Sequence, residues 1–258
     1  MRYKGLIRVL AEKLKFLNKI LGSMFPPLVL VKILKAKFKQ VENFKFNDNI
    51  LKYFYHSYWN NRLTERAIEI PIIRHYMEKE GSRNFLEIAN VTNHYYTYFQ
   101  DIIDSKVVVD KYEKGWGVII KNIFEYRPDH KFDFIFSIST FEYMDSDEGD
   151  NPEYVKGNSK LMAYAADNVV HVCHNLLNEG GIFIITAPVA EHHEWDQTLF
   201  SAQIFKEDLL KVKSIKIYFF RKVNEIEWVQ TDFNYARKAK FNKPYPGTNV
   251  LSIVEIRR

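Results

Sequence analysis

Two apolar runs, each carrying an acid at or near its end, constrain this chain more than any other feature. The first is Phe85-Leu86-Glu87-Ile88-Ala89-Asn90-Val91; after an amphipathic segment comes the second, Val107-Val108-Val109-Asp110. The interval suits one strand–crossover–strand unit of a parallel sheet. Such a sheet offers its ligand crevice beyond the carboxyl ends of its strands, where an acid closing the second strand can accept hydrogen bonds from ribose hydroxyls. The turn after the first run holds Ala89, Val91 and Asn93, not the glycines usual in a nucleotide-binding turn. The stretch therefore gains its meaning from what surrounds it.

Strands and helices alternate from residue 84 onward. Val118-Ile119-Ile120 is a short apolar strand, and 122–128 is its connection. The run Phe132-Asp133-Phe134-Ile135-Phe136-Ser137-Ile138-Ser139 suits a central parallel strand covered on both faces. A helix over 158–178 carries Leu161, Ala165, Val169, Val172 and Leu176 on one face. It ends at Glu179-Gly180-Gly181 and leads into a buried strand at 182–186. Residues 203–212 read as helix, 213–220 and 250–256 as strands, and 225–231 as a strand of ambiguous pattern. Earlier, Asn47-Asp48 is positioned to cap a helix through Leu51, Phe54 and Tyr55. Residues 64–73 read as a helix that Pro71 ends or kinks near Ile70. The pattern predicts an α/β fold: a Rossmann-like, doubly wound, mostly parallel seven-stranded sheet in three layers, with an N-terminal helical extension.

Charge divides the chain at its N-terminal end. Met1 to Lys45 holds eleven bases and two acids, which exceeds the net charge of +5 for all 258 residues and leaves the remainder acidic. The basicity thus belongs to an arm, residues 1–46, ahead of a domain over 47–258. Leu6, Ile7, Leu10, Leu14, Leu17, Ile20 and Leu21 give the arm one apolar helical face. Two readings stand for residues 1–40: a cap packed on protein, or a basic amphipathic helix lying on an anionic membrane surface. Neither this helix nor the second run, Leu28 to Phe38, has enough uninterrupted apolar residues to span a bilayer, and no secretory cleavage pattern follows the first helix. The expected location is cytoplasmic, with the arm able to place the protein peripherally on the inner membrane face. Nucleic acid is disfavoured, because the arm's few aromatics do not make the interleaved stacking platform that such binding uses. The single cysteine, Cys173, excludes an internal disulfide and reads as a small buried hydrophobe. The acidic stretch 145–157 lacks the ordered spacing of a calcium loop, and adjacent His192 and His193 rarely face one ion, so no metal is expected.

The order of these features resembles the class I S-adenosylmethionine-dependent methyltransferases. Residues 85–91 resemble the family's first motif, Asp110 the acid ending its second strand, and 132–142 its fourth-strand motif. Leu176-Leu177-Asn178-Glu179-Gly180-Gly181 with the strand after it is similar to the helix–turn–strand that follows. The likeness spans 64–258. Arg66-Ala67-Ile68-Glu69-Ile70-Pro71, Asp110-Lys111-Tyr112-Glu113-Lys114 and Pro244-Tyr245-Pro246-Gly247-Thr248-Asn249 resemble a branch often associated with glycan and cell-surface assembly.

The resemblance implies S-adenosylmethionine as cofactor and a small-molecule or glycan-linked acceptor. Glu87, Ala89 and Asn90 would line its methionine and ribose side. Asp110 would accept from the ribose, Lys111 would flank the adenine, Asn122 would contact it, and Ser137 and Ser139 would end the fourth strand beside it. Methyl transfer is an in-line displacement that depends on holding donor and acceptor in attack geometry. A protein base is needed only when the acceptor must lose a proton; Glu142, His94 and His192 (or His193) are the candidates, against the plain alternative of surface or hydrogen-bonding residues. Of the turn residues, Ala89 is harmless at negative φ, whereas Val91 would be costly at positive φ. The glycine-poor turn also keeps open a second reading, a catalytically inactive methyltransferase-like scaffold. A dehydrogenase is disfavoured for want of a glycine-rich dinucleotide fingerprint.

Overall fold

The computed structural model describes residues 42–55, 64–81, 84–102, 106–141, 167–189, 207–224, 227–240, 243–245 and 247–258. The arm to residue 41, the acidic stretch 145–157, Glu142, His192 and His193 lie outside the described residues.

The sheet has eight strands. In chain order they are β3 (Phe85–Ile88), β4 (Lys106–Asp110), β5 (Val118–Ile120), β6 (Phe132–Ile138), β7 (Leu177–Val189), β8 (Ser214–Lys222), β9 (Trp228–Thr231) and β10 (Val250–Arg257). Their spatial order is β5-β4-β3-β6-β7-β10-β8-β9. The first five run parallel, and β10 is antiparallel to both β7 and β8. The ambiguous stretch near 228 is β9, paired antiparallel with β8; it makes the eighth strand where seven were expected. From β3 the chain winds outward through β4 to β5, then returns past β3 to β6 and β7. The winding reverses between β3 and β6.

Both faces of the sheet are covered. One carries α1 (Arg66–Glu80), whose Ile68, Ile72, Ile73, Tyr76 and Met77 bury against Phe134, Phe136, Ile184 and Ile253. The other carries a helix at 167–171 and the π turn Val172–Leu176, with Val169, Val172, Cys173 and Leu176 buried near Ile135, Phe183 and Ile185. Alternate residues of β6 feed the two cores, as a period of two requires. Cys173 is fully buried here, and burial pushes its thiol up to about 12, which suits packing and not nucleophilic work.

Three local expectations are corrected. Residues 47–55 are not helical: β1 (Asn43–Phe46) and β2 (Asn49–Lys52) form a hairpin across Asn47-Asp48, with Asn47 at φ +52°. The alternation Phe44-Lys45-Phe46 before an Asn-Asp turn is a hairpin pattern; Phe44 and Phe46 are buried in the α1-side core. The hairpin straddles the expected boundary between residues 46 and 47, so it belongs to the folded unit. Pro71 does not end α1, which continues to Glu80. The proline leaves the Ala67 carbonyl without its helical donor, and the Phe54 N–H donates to that carbonyl at 3.0 Å instead. Finally, the helix before β7 stops at Leu176, and Glu179-Gly180-Gly181 lies within β7 as a bulge, where pairing jumps from Phe132–Leu177 to Phe134–Ile182. A Cβ on Gly181 would sit 2.9 Å from the Asn178 carbonyl oxygen and 3.0 Å from that of Asp133, so only glycine fits.

The Tyr245–Asn249 segment has a structural account. The Asn249 side chain accepts from the Tyr245 N–H and donates to the carbonyls of Lys240, Tyr245 and Gly247, which fastens the loop to β10.

Candidate cofactor site

A reversal of winding leaves a crevice at the strands' carboxyl ends, and a cavity of about 210 Å³ occupies it, lined by Ile88, Ala89, Val109, Asp110, Lys111, Tyr112, Lys121, Asn122, Ile123 and Thr140. Its residues come from the ends of β3, β4, β5 and β6. Ile88, Val109 and Ile123 give it an apolar floor; Asp110, Lys111, Lys121, Asn122 and Thr140 give it a polar rim.

Asp110 locks the two loops that frame the cavity. Its Oδ1 accepts the N–H groups of Tyr112 and Glu113 at 2.8 and 2.7 Å, and its Oδ2 accepts the Asn90 N–H at 3.0 Å. A carboxylate offers about four acceptor positions; one, on Oδ2, remains for a ligand. Asn90 donates from its amide to Glu113 Oε1 at 2.9 Å, and its own Oδ1 is buried with no hydrogen-bond partner. Asn90 follows the cavity residue Ala89 but does not itself line the cavity.

Glu87 lies beneath the turn and holds it in shape. Its Oε1 accepts the N–H groups of Val91 and Thr92, and its Oε2 accepts Lys106 Nζ at 2.6 Å and the Thr92 hydroxyl. The carboxylate is fully buried and its acceptor positions are filled, so it does not line the ligand side as the sequence led us to expect. It is the device by which a glycine-poor turn keeps its form. The turn conformation also reverses the expected assignment of strain. Ala89 has φ +75°, while Val91 has φ −96° and ψ −49°, an ordinary conformation. The strained residue is Ala89.

Of the eight residues expected around the cofactor, Ala89, Asp110, Lys111 and Asn122 line the cavity. The Asn122 side chain accepts the Phe124 N–H at 3.0 Å, and Lys111 Nζ sits 4.7 Å from the centre of the Tyr112 ring. Ser137 is fully buried opposite the cavity residue Ile88 in the β3–β6 register, its hydroxyl unpartnered. Ser139 turns to the other side of the sheet. His94, an expected base, holds Glu113 Oε1 at 2.9 Å through Nε2, joining the Asn90–Glu113 pair behind the turn.

A second polar cluster was not anticipated. Glu69 of α1 is 0% exposed; its Oε1 accepts the hydroxyls of Ser139 and Thr186, both at 2.6 Å, and its Oε2 accepts Arg66 Nη1 at 2.6 Å. Ser139 has φ +40° and donates its N–H to the carbonyl and hydroxyl of Thr186. A non-glycine residue held in the left-handed region is a common mark of a functional strand end. Burial, then the neighbouring Glu69 charge, pushes the Glu65 carboxyl above its ordinary range, and the two acids hold the Arg66 guanidinium charged against its own desolvation. One signal lay in the sequence: a lone acid inside Ala67-Ile68-Glu69-Ile70-Pro71-Ile72-Ile73. Among the described residues no group of His, Cys, Asp and Glu is placed to hold a metal, and no helix is long and apolar enough to cross a membrane.

No family model matches the chain, and no curated protein matches it. Solved structures do. An S-adenosylmethionine-dependent methyltransferase from Archaeoglobus fulgidus is similar at 14% identity and TM-score 0.45, over 76% of this chain and 95% of that one. The N-methyltransferase NodS from Bradyrhizobium japonicum, in complex with S-adenosyl-L-homocysteine, is similar at 14% identity and TM-score 0.42, over 73% and 88%. The 1,6-didemethyltoxoflavin-N1-methyltransferase of Burkholderia thailandensis is similar at 12% identity and TM-score 0.40, over 72% and 75%. At these scores the likeness is one of general outline, and the site's meaning rests on its own geometry.

Proposed function

We propose that this protein is an S-adenosylmethionine-dependent methyltransferase acting on a small-molecule or glycan-linked acceptor. The observation that carries the reading is the cavity at the β3/β6 reversal. An apolar floor lies beneath it and the strand-ending acid Asp110 is on its rim, with residues the motif resemblance had assigned to this cofactor. The chain fits the group: Ile88, Val109 and Ile123 would pack a purine, Asn122 and Lys111 would flank it, and Asp110 would take a ribose hydroxyl.

Bound there, the cofactor supplies a methyl group on an electrophilic sulfonium. The chain's own work is to bind, to orient and to handle a proton. Thr140 lines the cavity directly after Ser139, so the buried Glu69–Ser139 pair would fix the end of β6 from the α1 side and so position Thr140 at the donor site. Glu142, His192 and His193 remain candidate bases, and His94 serves the turn through Glu113.

The inactive-scaffold reading draws on the engagement of three of Asp110's acceptor positions by backbone and on the missing turn glycines. Thermal unfolding with a ligand panel separates the two. A ligand at about a hundred times its Kd stabilises the native state by about 2.7 kcal/mol, which for a domain of this size raises Tm by roughly 5–10 °C. S-adenosylmethionine and S-adenosylhomocysteine are expected to give that rise and NAD none. A Tm unmoved by both sulfur nucleosides would leave the scaffold reading standing.

A further inference from the structure

Among the described residues, a short connection leaves the sheet edge beside the cavity bare. β5 pairs only with β4, and the two parallel strands are joined by residues 111–117 alone. Parallel neighbours normally need a crossover of about a dozen residues or more, usually a helix, which covers the sheet. Here no helix fits, and successive β5 residues, which point to opposite faces, are both open: Ile119 is 41% and Ile120 53% exposed. Trp116, on the turn just before β5, is 94% exposed. Tyr112 and Phe124 are exposed on either side, so more than half of the exposed large hydrophobics among the described residues fall within 112–124. Single exposed apolar residues are ordinary, but a cluster around a fully exposed tryptophan marks a contact surface.

We infer that the Trp116–Ile120 edge, flanked by lysines, seats the protein on an anionic phospholipid surface next to the cavity mouth. Three observations choose this occupant. Tryptophan and tyrosine favour the bilayer interface, where one end of the ring is apolar and the other wet. Lys111, Lys114, Lys121 and Arg127 bracket the apolar residues against two acids, Glu113, which is held by His94 and Asn90, and the exposed Glu125; the flank is net positive and complementary to negative headgroups. The ladder on β5's free edge is three residues long, too short to bury the ~1,000 Å² that a stable second copy requires.

The test is flotation of the full chain with phosphatidylcholine vesicles, with and without phosphatidylglycerol, together with quenching of tryptophan fluorescence by brominated lipid. Binding is expected only with the anionic lipid. Trp116→Ala should weaken it about tenfold or more, and Lys114→Gln with Lys121→Gln about thirtyfold. The quenched fraction of the emission should disappear in Trp116→Phe. The inference is overturned if the wild-type chain does not float, or if the variants bind as the wild type does with unaltered quenching, which would assign membrane binding to another part of the chain. It is equally overturned if sedimentation shows a dimer in lipid-free buffer that Trp116→Ala dissociates.

Discussion

Replacing Ala89 by glycine should stabilise this protein, whereas replacing Val91 two residues later should destabilise it. Ala89 occupies the left-handed region at φ +75°, where an L-residue with a Cβ carries a penalty of about 1–2 kcal/mol. Glycine removes that penalty but adds about 0.5–1 kcal/mol of unfolded-state entropy. The net expectation for Ala89→Gly is a gain of about 0.5–1 kcal/mol, or roughly 2–3 °C in Tm for a chain this long. Val91 has φ −96° and packs against the α1-side core, so Val91→Gly loses both backbone restriction and apolar contact. A loss of about 1–2 kcal/mol follows. Urea unfolding of both variants, read as changes in midpoint at constant slope, measures the two effects. A drop in stability for Ala89→Gly would refute the assignment of strain to Ala89, and with it the view that Glu87 forces the turn into shape.

Two further outcomes follow from the buried polar groups. Glu69→Ala strips the acceptor from Arg66, Ser139 and Thr186 and should cost about 3–5 kcal/mol, the range for breaking a buried pair; chemical denaturation reads it, and a loss below about 1 kcal/mol would contradict the cluster's buried geometry. Alkali should unfold the protein in a defined window. Burial raises the phenols of Tyr53, Tyr55, Tyr76, Tyr98 and Tyr218 above their ordinary 10.0, and the Cys173 thiol from 9.0 to about 12. Each group holds its proton more tightly folded than unfolded, so its contribution is complete below the unfolded value and is lost as pH rises toward the folded one. Stability should therefore fall from about pH 9–10 upward, with tyrosinate absorbance appearing together with the loss of circular dichroism. Tyrosinate appearing well before unfolding would contradict the burial of these phenols.

Much of the architecture was legible because it rests on hydrophobic period. The runs 85–91, 107–110, 132–139 and 182–186 are mostly apolar, as strands covered on both faces are, and each holds a strand of the sheet. The hairpin at 43–52 was misread because Asn47-Asp48 is both a helix cap and a hairpin turn. Local chemistry does not choose between them; burial of Phe44 and Phe46 does. Pro71 does not end its helix for a tertiary reason, since the donor that satisfies Ala67 comes from Phe54, in the segment before the helix. At the site, the strand-end pattern brought forward Asp110, and the family resemblance brought forward Asn122. It did not reveal which turn residue would take positive φ, because that choice is made by Glu87 and Lys106 from below. Glu69 was missed because its partners Ser139 and Thr186 lie 70 and 117 residues away.

The most direct test of the central claim is calorimetric titration of the full chain with S-adenosylmethionine and S-adenosylhomocysteine, repeated on Asp110→Asn. Binding of both ligands to the wild type is expected with Kd on the order of micromolar. The substitution removes a charged acceptor and should weaken both about tenfold to a hundredfold. Folded wild-type protein that gives no binding heat with either ligand, at concentrations well above micromolar, would contradict the account.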